Sequence, residues 1–174
     1  MNHFVRNLAT ATFAAFLLSA CLTDEVDSNM VGGLAENNDI SGSVGDGPTV
    51  GATIRVFGND GTELAQLESD TTASYNISVQ ANSSAYALRL ESTGGTDLVT
   101  NLAPDFQLTS AVPRPGNRTV ANLNPFSTFA VALAQELPGG PTADNFENAQ
   151  SIVSARLNSG LTTLALTGPM TTHI

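Results

Sequence analysis

Between Ile40 and Leu123 apolar residues recur at every second position in short runs, and a turn signal interrupts them about every ten residues. A period of two places alternate side chains on opposite faces of an extended chain, so each run has one apolar and one polar face. Ile40, Gly42 and Val44 form the first run, ended by Gly45-Asp46-Gly47-Pro48. Ala52, Ile54 and Val56 then alternate with Thr53, Arg55 and Phe57. Asn59-Asp60-Gly61 follows, and its residues tolerate the positive φ of a tight hairpin. Glu63 to Glu68 runs back with Leu64 and Leu67, and Tyr75, Ile77 and Val79 stand opposite Ser74, Asn76 and Ser78. Tyr86, Leu88 and Leu90 repeat the pattern up to a break at Gly94-Gly95-Thr96-Asp97. Leu98, Val99 and Leu102 are expected to add an edge strand. Phe106, Leu108, Ser110 and Val112 form another strand, stopped by Pro113, which has no N–H for a ladder, and Thr119 to Leu123 a last one. Recurrent short strands of this kind predict a mainly β fold, an antiparallel β-sandwich over 40–123.

The order of several of these segments carries a resemblance. Gly42-Ser43-Val44, then Asp46 to Val56, then Thr71-Thr72 and Tyr75-Asn76-Ile77 resemble the carboxypeptidase regulatory-like, or prealbumin-like, β-sandwich over residues 40–92. Ala73-Ser74 departs from that family, which has a Gly-bearing turn before the tyrosine strand. The resemblance implies an immunoglobulin- or prealbumin-like sandwich that supports adhesion, assembly or attachment of other domains and does no chemistry.

Past Leu123 the period lengthens to that of a helix. Asn124 is the expected N-cap with Pro125 in the first helical position, and Phe126, Phe129, Ala130, Leu133 and Leu137 are expected to face the core. Pro138-Gly139-Gly140-Pro141 ends that helix. A second is expected from Asp144, capped with Glu147, with Phe146, Ala149, Ile152 or Val153, and Leu157 inward and Gly160 closing it. Residues 124–174 thus form a small C-terminal helical appendage. Leu161 to Leu166 is apolar with no evident partner, as in a truncated form of a longer protein. Leu123-Asn124-Pro125-Phe126-Ser127-Thr128 is similar to a junction that follows such sandwiches in bacterial lipoproteins.

The N-terminus speaks of location. Arg6 is the one firm positive charge before an apolar stretch from Leu8 to Ala20. Thirteen helical residues would span roughly 20 Å, short of a hydrocarbon core of roughly 30 Å. Leu18-Ser19-Ala20-Cys21 contains the single cysteine of the chain and resembles the lipobox of bacterial lipoproteins. That resemblance implies a signal peptide over 1–20, cleavage after Ala20, and fatty acyl chains such as palmitate on Cys21, whose partner is membrane lipid. Leu22, where retained inner-membrane members have Asp, implies the outer membrane of a bacterial cell envelope. Two or more acyl chains are needed for firm attachment. Residues 21–39 hold Asp24, Glu25, Asp27, Glu36 and Asp39 with no basic residue and read as an acidic flexible tether.

Composition narrows the function. After residue 20 there is no lysine, and five arginines face sixteen acids, a formal charge of −11. Such a chain has no basic patch for nucleic acid and is repelled by anionic headgroups. One cysteine excludes an internal disulfide. Trp is absent, so a sugar-stacking platform is poorly supplied. His3 goes with the signal and nothing orients His173 into a catalytic triad. Zinc sites require Cys or His clusters that the chain lacks. Asp60 and Glu63 offer oxygen ligands for calcium, but the loop is shorter than an EF-hand, so a plain hairpin turn is the favoured reading and no metal site is expected. No catalytic residue and no cofactor is expected. The expectation is a membrane-anchored, non-catalytic structural or interaction module whose partner is an envelope protein or polysaccharide. The alternative is a carbohydrate- or calcium-linked recognition domain of a larger surface protein.

Overall fold

The computed structural model describes residues 36–159 with Gly168, Met170 and Thr171. The expected signal peptide, Cys21, the tether up to residue 35, Gly160 and Leu161–Leu166 lie outside the described residues. The fold is mainly β, with two helices toward the C-terminus. Its elements are β1 (Glu36–Ser43), β2 (Thr49–Val50), β3 (Thr53–Phe57), β4 (Glu63–Glu68), β5 (Ser74–Ala81), β6 (Leu88–Thr93), β7 (Thr96–Asp97), β8 (Leu108–Val112), β9 (Arg118–Val120), α1 (Pro125–Glu136) and α2 (Ala143–Leu157). One sheet has the order β5-β1-β9, a second β4-β3-β6-β8, and β2 pairs with β7 as a short ribbon.

Inward residues of both larger sheets form one core. Ile40, Ile54, Val56, Val79, Leu88 and Leu90 are wholly buried, joined by Tyr75, Leu108, Val112, Ala121 and Leu123. These are the alternate positions of the sequence pattern. Burial of each such side chain stabilises by about 1.5–3 kcal/mol.

Phe106 and Tyr86 fall outside β8 and β6, which begin at Leu108 and Leu88, and three further expectations about strands need correction. First, β1 begins at Glu36, inside the stretch read as tether, and pairs residue for residue with β5 from Glu36↔Ala81 to Ser43↔Ser74. The acidic, Asn-rich composition is overridden because Asn38 is buried and satisfied. Its Nδ2 donates to Glu36 O and its Oδ1 accepts from Gly116 N. Second, the ladders are not all antiparallel: β1 pairs with β9 in parallel, Asp39↔Arg118 to Ser41↔Val120. Third, the ribbon strand is Thr96–Asp97, and Leu98 to Thr100 form a turn. The Leu98-Val99-Leu102 spacing lacks strict alternation, and these side chains are exposed.

The departure at Ala73 has a structural counterpart. Ala73 has φ 59°, a left-handed conformation that glycine adopts at less cost. Asp70 holds the turn: its Oδ1 accepts from Thr72 N, Thr72 Oγ1 and Ser74 N. Those bonds, the Thr72 hydroxyl first, keep the Asp70 carboxyl below its usual 3.8. The stability this adds is present above that value and fades as pH falls through the lowered one.

Tyr75 ties the two edges of its sheet to the core. Its ring is buried and its hydroxyl donates to Ala121 O. Burial pushes the phenol well above its usual value of 10. Above pH 10 the unfolded chain releases this proton and the folded one keeps it, so stability falls as pH rises. Urea denaturation should show a loss steepening toward about 1.4 kcal/mol per pH unit above pH 10. Tyr75→Phe should flatten that slope. An unchanged slope in the variant would show that other groups set the alkaline limit.

The helices pack beside β8 on a second, smaller cluster formed by Ala87, Ala111, Ala130, Val131, Ala134, Phe146, Ala149, Val153 and Met170. Asn124 caps α1 as expected, accepting from Ser127 N while the Ser127 hydroxyl accepts from Asn124 N. The buried face of α1 is rotated from the expected one: Ser127, Ala130, Val131 and Ala134 are inside, and Phe129 is 57% exposed. Small residues let the helix approach the sheet, and Ser127 Oγ also donates to Thr109 O of β8. The N-cap of α2 is Thr142, which accepts from Asn145 N. Asp144 and Glu147 do not form the expected box; both bind Arg114. Phe146, Ala149 and Val153 point inward as expected.

Candidate functional site

Cys21 and Ala20 lie outside the described residues. Asp60 and Glu63 sit on the β3–β4 hairpin, and each is already engaged by neighbours. Gly58 N donates to Thr62 O at 2.9 Å, closing the turn, in which Gly61 has φ 83°. Asp60 Oδ1 accepts from Thr62 N at 2.9 Å and Oδ2 from Thr62 Oγ1 at 3.0 Å. These bonds, the amide first, hold the Asp60 carboxyl below its usual range. Glu63 lies 3.9 Å from Arg55 Nε across the ladder. Among the described residues no group of three His, Cys, Asp or Glu side chains converges to hold a metal ion.

The other turn acids, Asp46 and Asp97, are brought together with Asp105 around a cleft of about 330 Å³. One strand pair creates it. Thr49↔Asp97 and Val50↔Thr96 join β2 to β7, and Leu98 N donates to Pro48 O at 2.9 Å. The chain then folds back on itself, with Asp97 N bonding Leu102 O at 2.9 Å and Asn101 N bonding Asp97 O at 2.8 Å. Asp97 Oδ1 accepts from Val99 N at 2.7 Å, which fixes the first turn of the loop. The cleft floor is Thr49 and Leu108; Leu102 and Phe106 flank it with the three carboxylates. Asp46 and Asp105 are exposed, and the arginines in ion pairs, Arg55, Arg89 and Arg114, pair with acids elsewhere.

Sequence reasoning missed this cleft because it assigned Asp46 and Asp97 to separate turns and Leu98 to Leu102 to a strand. One signal was present: apolar residues out of phase with any alternation, between Gly94-Gly95 and Pro104.

A second depression, on the outer face of the three-stranded sheet, is polar and is lined by Asp39, Ser41, Asn76 and Arg118. Asp39 there accepts from the Ser78 hydroxyl. Among the described residues no helix is long and apolar enough to cross a membrane.

The chain matches no protein-family model, and no curated protein matches it.

Proposed function

We propose that the protein is a lipid-anchored, extracytoplasmic interaction module without chemistry of its own. The body is a prealbumin-like β-sandwich carried on acyl chains at Cys21 and separated from the bilayer by an acidic spacer. The observation that carries the reading is the order Leu18-Ser19-Ala20-Cys21 at the end of a thirteen-residue apolar or small stretch after Arg6. Leu22 supports the outer membrane. Two sheets with a common apolar core support the sandwich, and the parallel β1–β9 pair is its departure from a purely antiparallel plan. The carboxylates that cap their own turns, Asp60 and Asp70, support a structural role for those acids. The formal charge of −11 leaves attachment to lipid and not to surface charge.

Membrane fractionation of cells producing the full chain tests the anchor. The protein should sediment with membranes, and Cys21→Ser should move most of it to the soluble fraction with unchanged far-UV circular dichroism. Mass spectrometry of the N-terminal peptide should show acylated Cys21 as the first residue. An unmodified Cys21 peptide would end the proposal.

A further inference from the structure

The loop between β7 and β8 concentrates apolar exposure. Leu98 is 50% exposed, Val99 73%, Leu102 68% and Phe106 48%; they are four of the six exposed large hydrophobic residues among those described. Scattered exposed apolar residues need no explanation, but a cluster of this kind marks a contact surface. The loop is built rather than loose, because Pro48 O, Leu102 O and Asp97 Oδ1 accept its amides as described. Val99 lies over the Gly45–Pro48 turn: a Cβ on Gly47 would stand 3.2 Å from Val99 Cγ2 and 3.3 Å from Asp97 Oδ1. The apolar rim and the acids of the cleft therefore form one surface.

Charge decides what can cover it. Asp46, Asp97 and Asp105 have no ion-pair partner among the described residues. The chain after residue 20 has no lysine, and Leu161–Leu166 is an apolar segment with no cation. In a two-fold symmetric contact a second copy would bring three more carboxylates to the same place, and like charges across a contact cost affinity. An anionic bilayer is repelled for the same reason. We propose that the cleft between the β2–β7 ribbon and the 98–106 loop docks a cationic, apolar-bearing segment of another protein, with Lys or Arg side chains against Asp46, Asp97 and Asp105 and an apolar side chain between Leu102 and Phe106. This deepens the interaction-module reading by naming the face and the chemistry of its partner, and rests on that reading only for the compartment in which they meet.

The test uses the purified full chain in detergent and a short fluorescein-labelled peptide alternating lysine and leucine, read by fluorescence anisotropy. A lysine–serine peptide and a glutamate–leucine peptide of the same length are the controls. Binding should be strongest for lysine–leucine and weaken with salt. The double variants Asp46→Asn/Asp105→Asn and Val99→Ser/Leu102→Ser should each weaken it about tenfold, since rim charge and central apolar contact both contribute. Glu68→Gln/Glu136→Gln removes the same charge from exposed positions elsewhere and should change binding less than about twofold. Equal loss in that control, or equal binding of the lysine–serine peptide, would reduce the effect to general attraction by an acidic protein and overturn the proposal. A concentration-dependent dimer abolished by Val99→Ser/Leu102→Ser would give the surface to a second copy and overturn it as well. Acylation of Cys21 is scored separately on the same preparation. An acylated protein that fails to bind loses the docking site alone; a binding protein that is not acylated loses the anchor alone.

Discussion

Replacing Phe146 by alanine is expected to destabilise the protein by about 3–5 kcal/mol. Phe146 is 1% exposed and is the only aromatic among the described residues of the cluster beneath the helices. Among the described residues of that cluster, Ala87, Ala111, Ala130, Ala134 and Ala149 are alanines, which cannot extend to refill the space. The remaining cavity should therefore stay close to its full size, and the cost should fall at the upper end of the range. With a typical total of 5–15 kcal/mol, such a loss takes a large share of the stability. It should also separate two events. The core between the sheets shares none of the residues of the helical cluster. In a urea titration of Phe146→Ala, the helical signal in circular dichroism should be lost before the tyrosine fluorescence changes, since Tyr75 and Tyr86 both belong to or pack on the core between the sheets. A loss below about 1.5 kcal/mol, or coincident transitions at the wild-type midpoint, would mean that Phe146 is not the keystone of that cluster.

Gly42→Val is expected to cost about 3 kcal/mol by a different route, overpacking. A Cβ on Gly42 would lie 2.6 Å from Ala121 O and 2.9 Å from both Ala121 C and Tyr75 Cε1. Neither neighbour can retreat. Ala121 is held by its amide on Ser41 O at 2.9 Å, and Leu123 N bonds Ser43 O at 2.8 Å just beyond. Asn122 Oδ1 accepts from Ser43 N at 2.8 Å on the same stretch. Tyr75 stands opposite Gly42 in the β1–β5 register, with its hydroxyl on Ala121 O. Moving the ring would break that bond as well, at about 0.5–1.5 kcal/mol. Gly42→Ala should be destabilising in the same direction, and Tyr75→Phe should not rescue it, because the ring edge remains. Thermal denaturation of the three variants decides this. A Gly42→Val protein within about 1 kcal/mol of wild type would show that β9 can shift away from β1.

The strand pattern was legible wherever neighbours alternate strictly. Tyr75, Ile77 and Val79 turned inward as read, and so did Ile54 and Val56, because a pleated strand leaves no other choice once one face is apolar. The β3–β4 hairpin and the Asn124 cap were legible for the same local reason: Gly61 supplies a positive φ and Asn124 an acceptor for an orphan amide. Local signals failed where a distant segment supplied the partner. Glu36 to Asp39 have the composition of a tether, yet β5 and Gly116 N, far along the chain, satisfy them. The buried side of α1 could not be read from hydrophobicity, since the surface of β8 accepts small residues and leaves Phe129 in solvent. The 98–106 cleft belongs to this second group. Asp46 and Asp97 are 51 residues apart in sequence (97 − 46) and meet only through the β2–β7 pair.

By itself the sequence determined the mainly β body, the two helices that follow it, the acidic net charge, and the Leu-Ser-Ala-Cys stretch on which the proposed anchor rests. These depend on covalent order and on contacts within a few residues. Only the tertiary structure decided the parallel join of β1 to β9, the rotation of α1 and the gathering of Asp46, Asp97 and Asp105 beside exposed leucines and phenylalanine. The reason is physical: those features arise from pairings between segments tens of residues apart, selected by packing of the whole core, and no local periodicity encodes them.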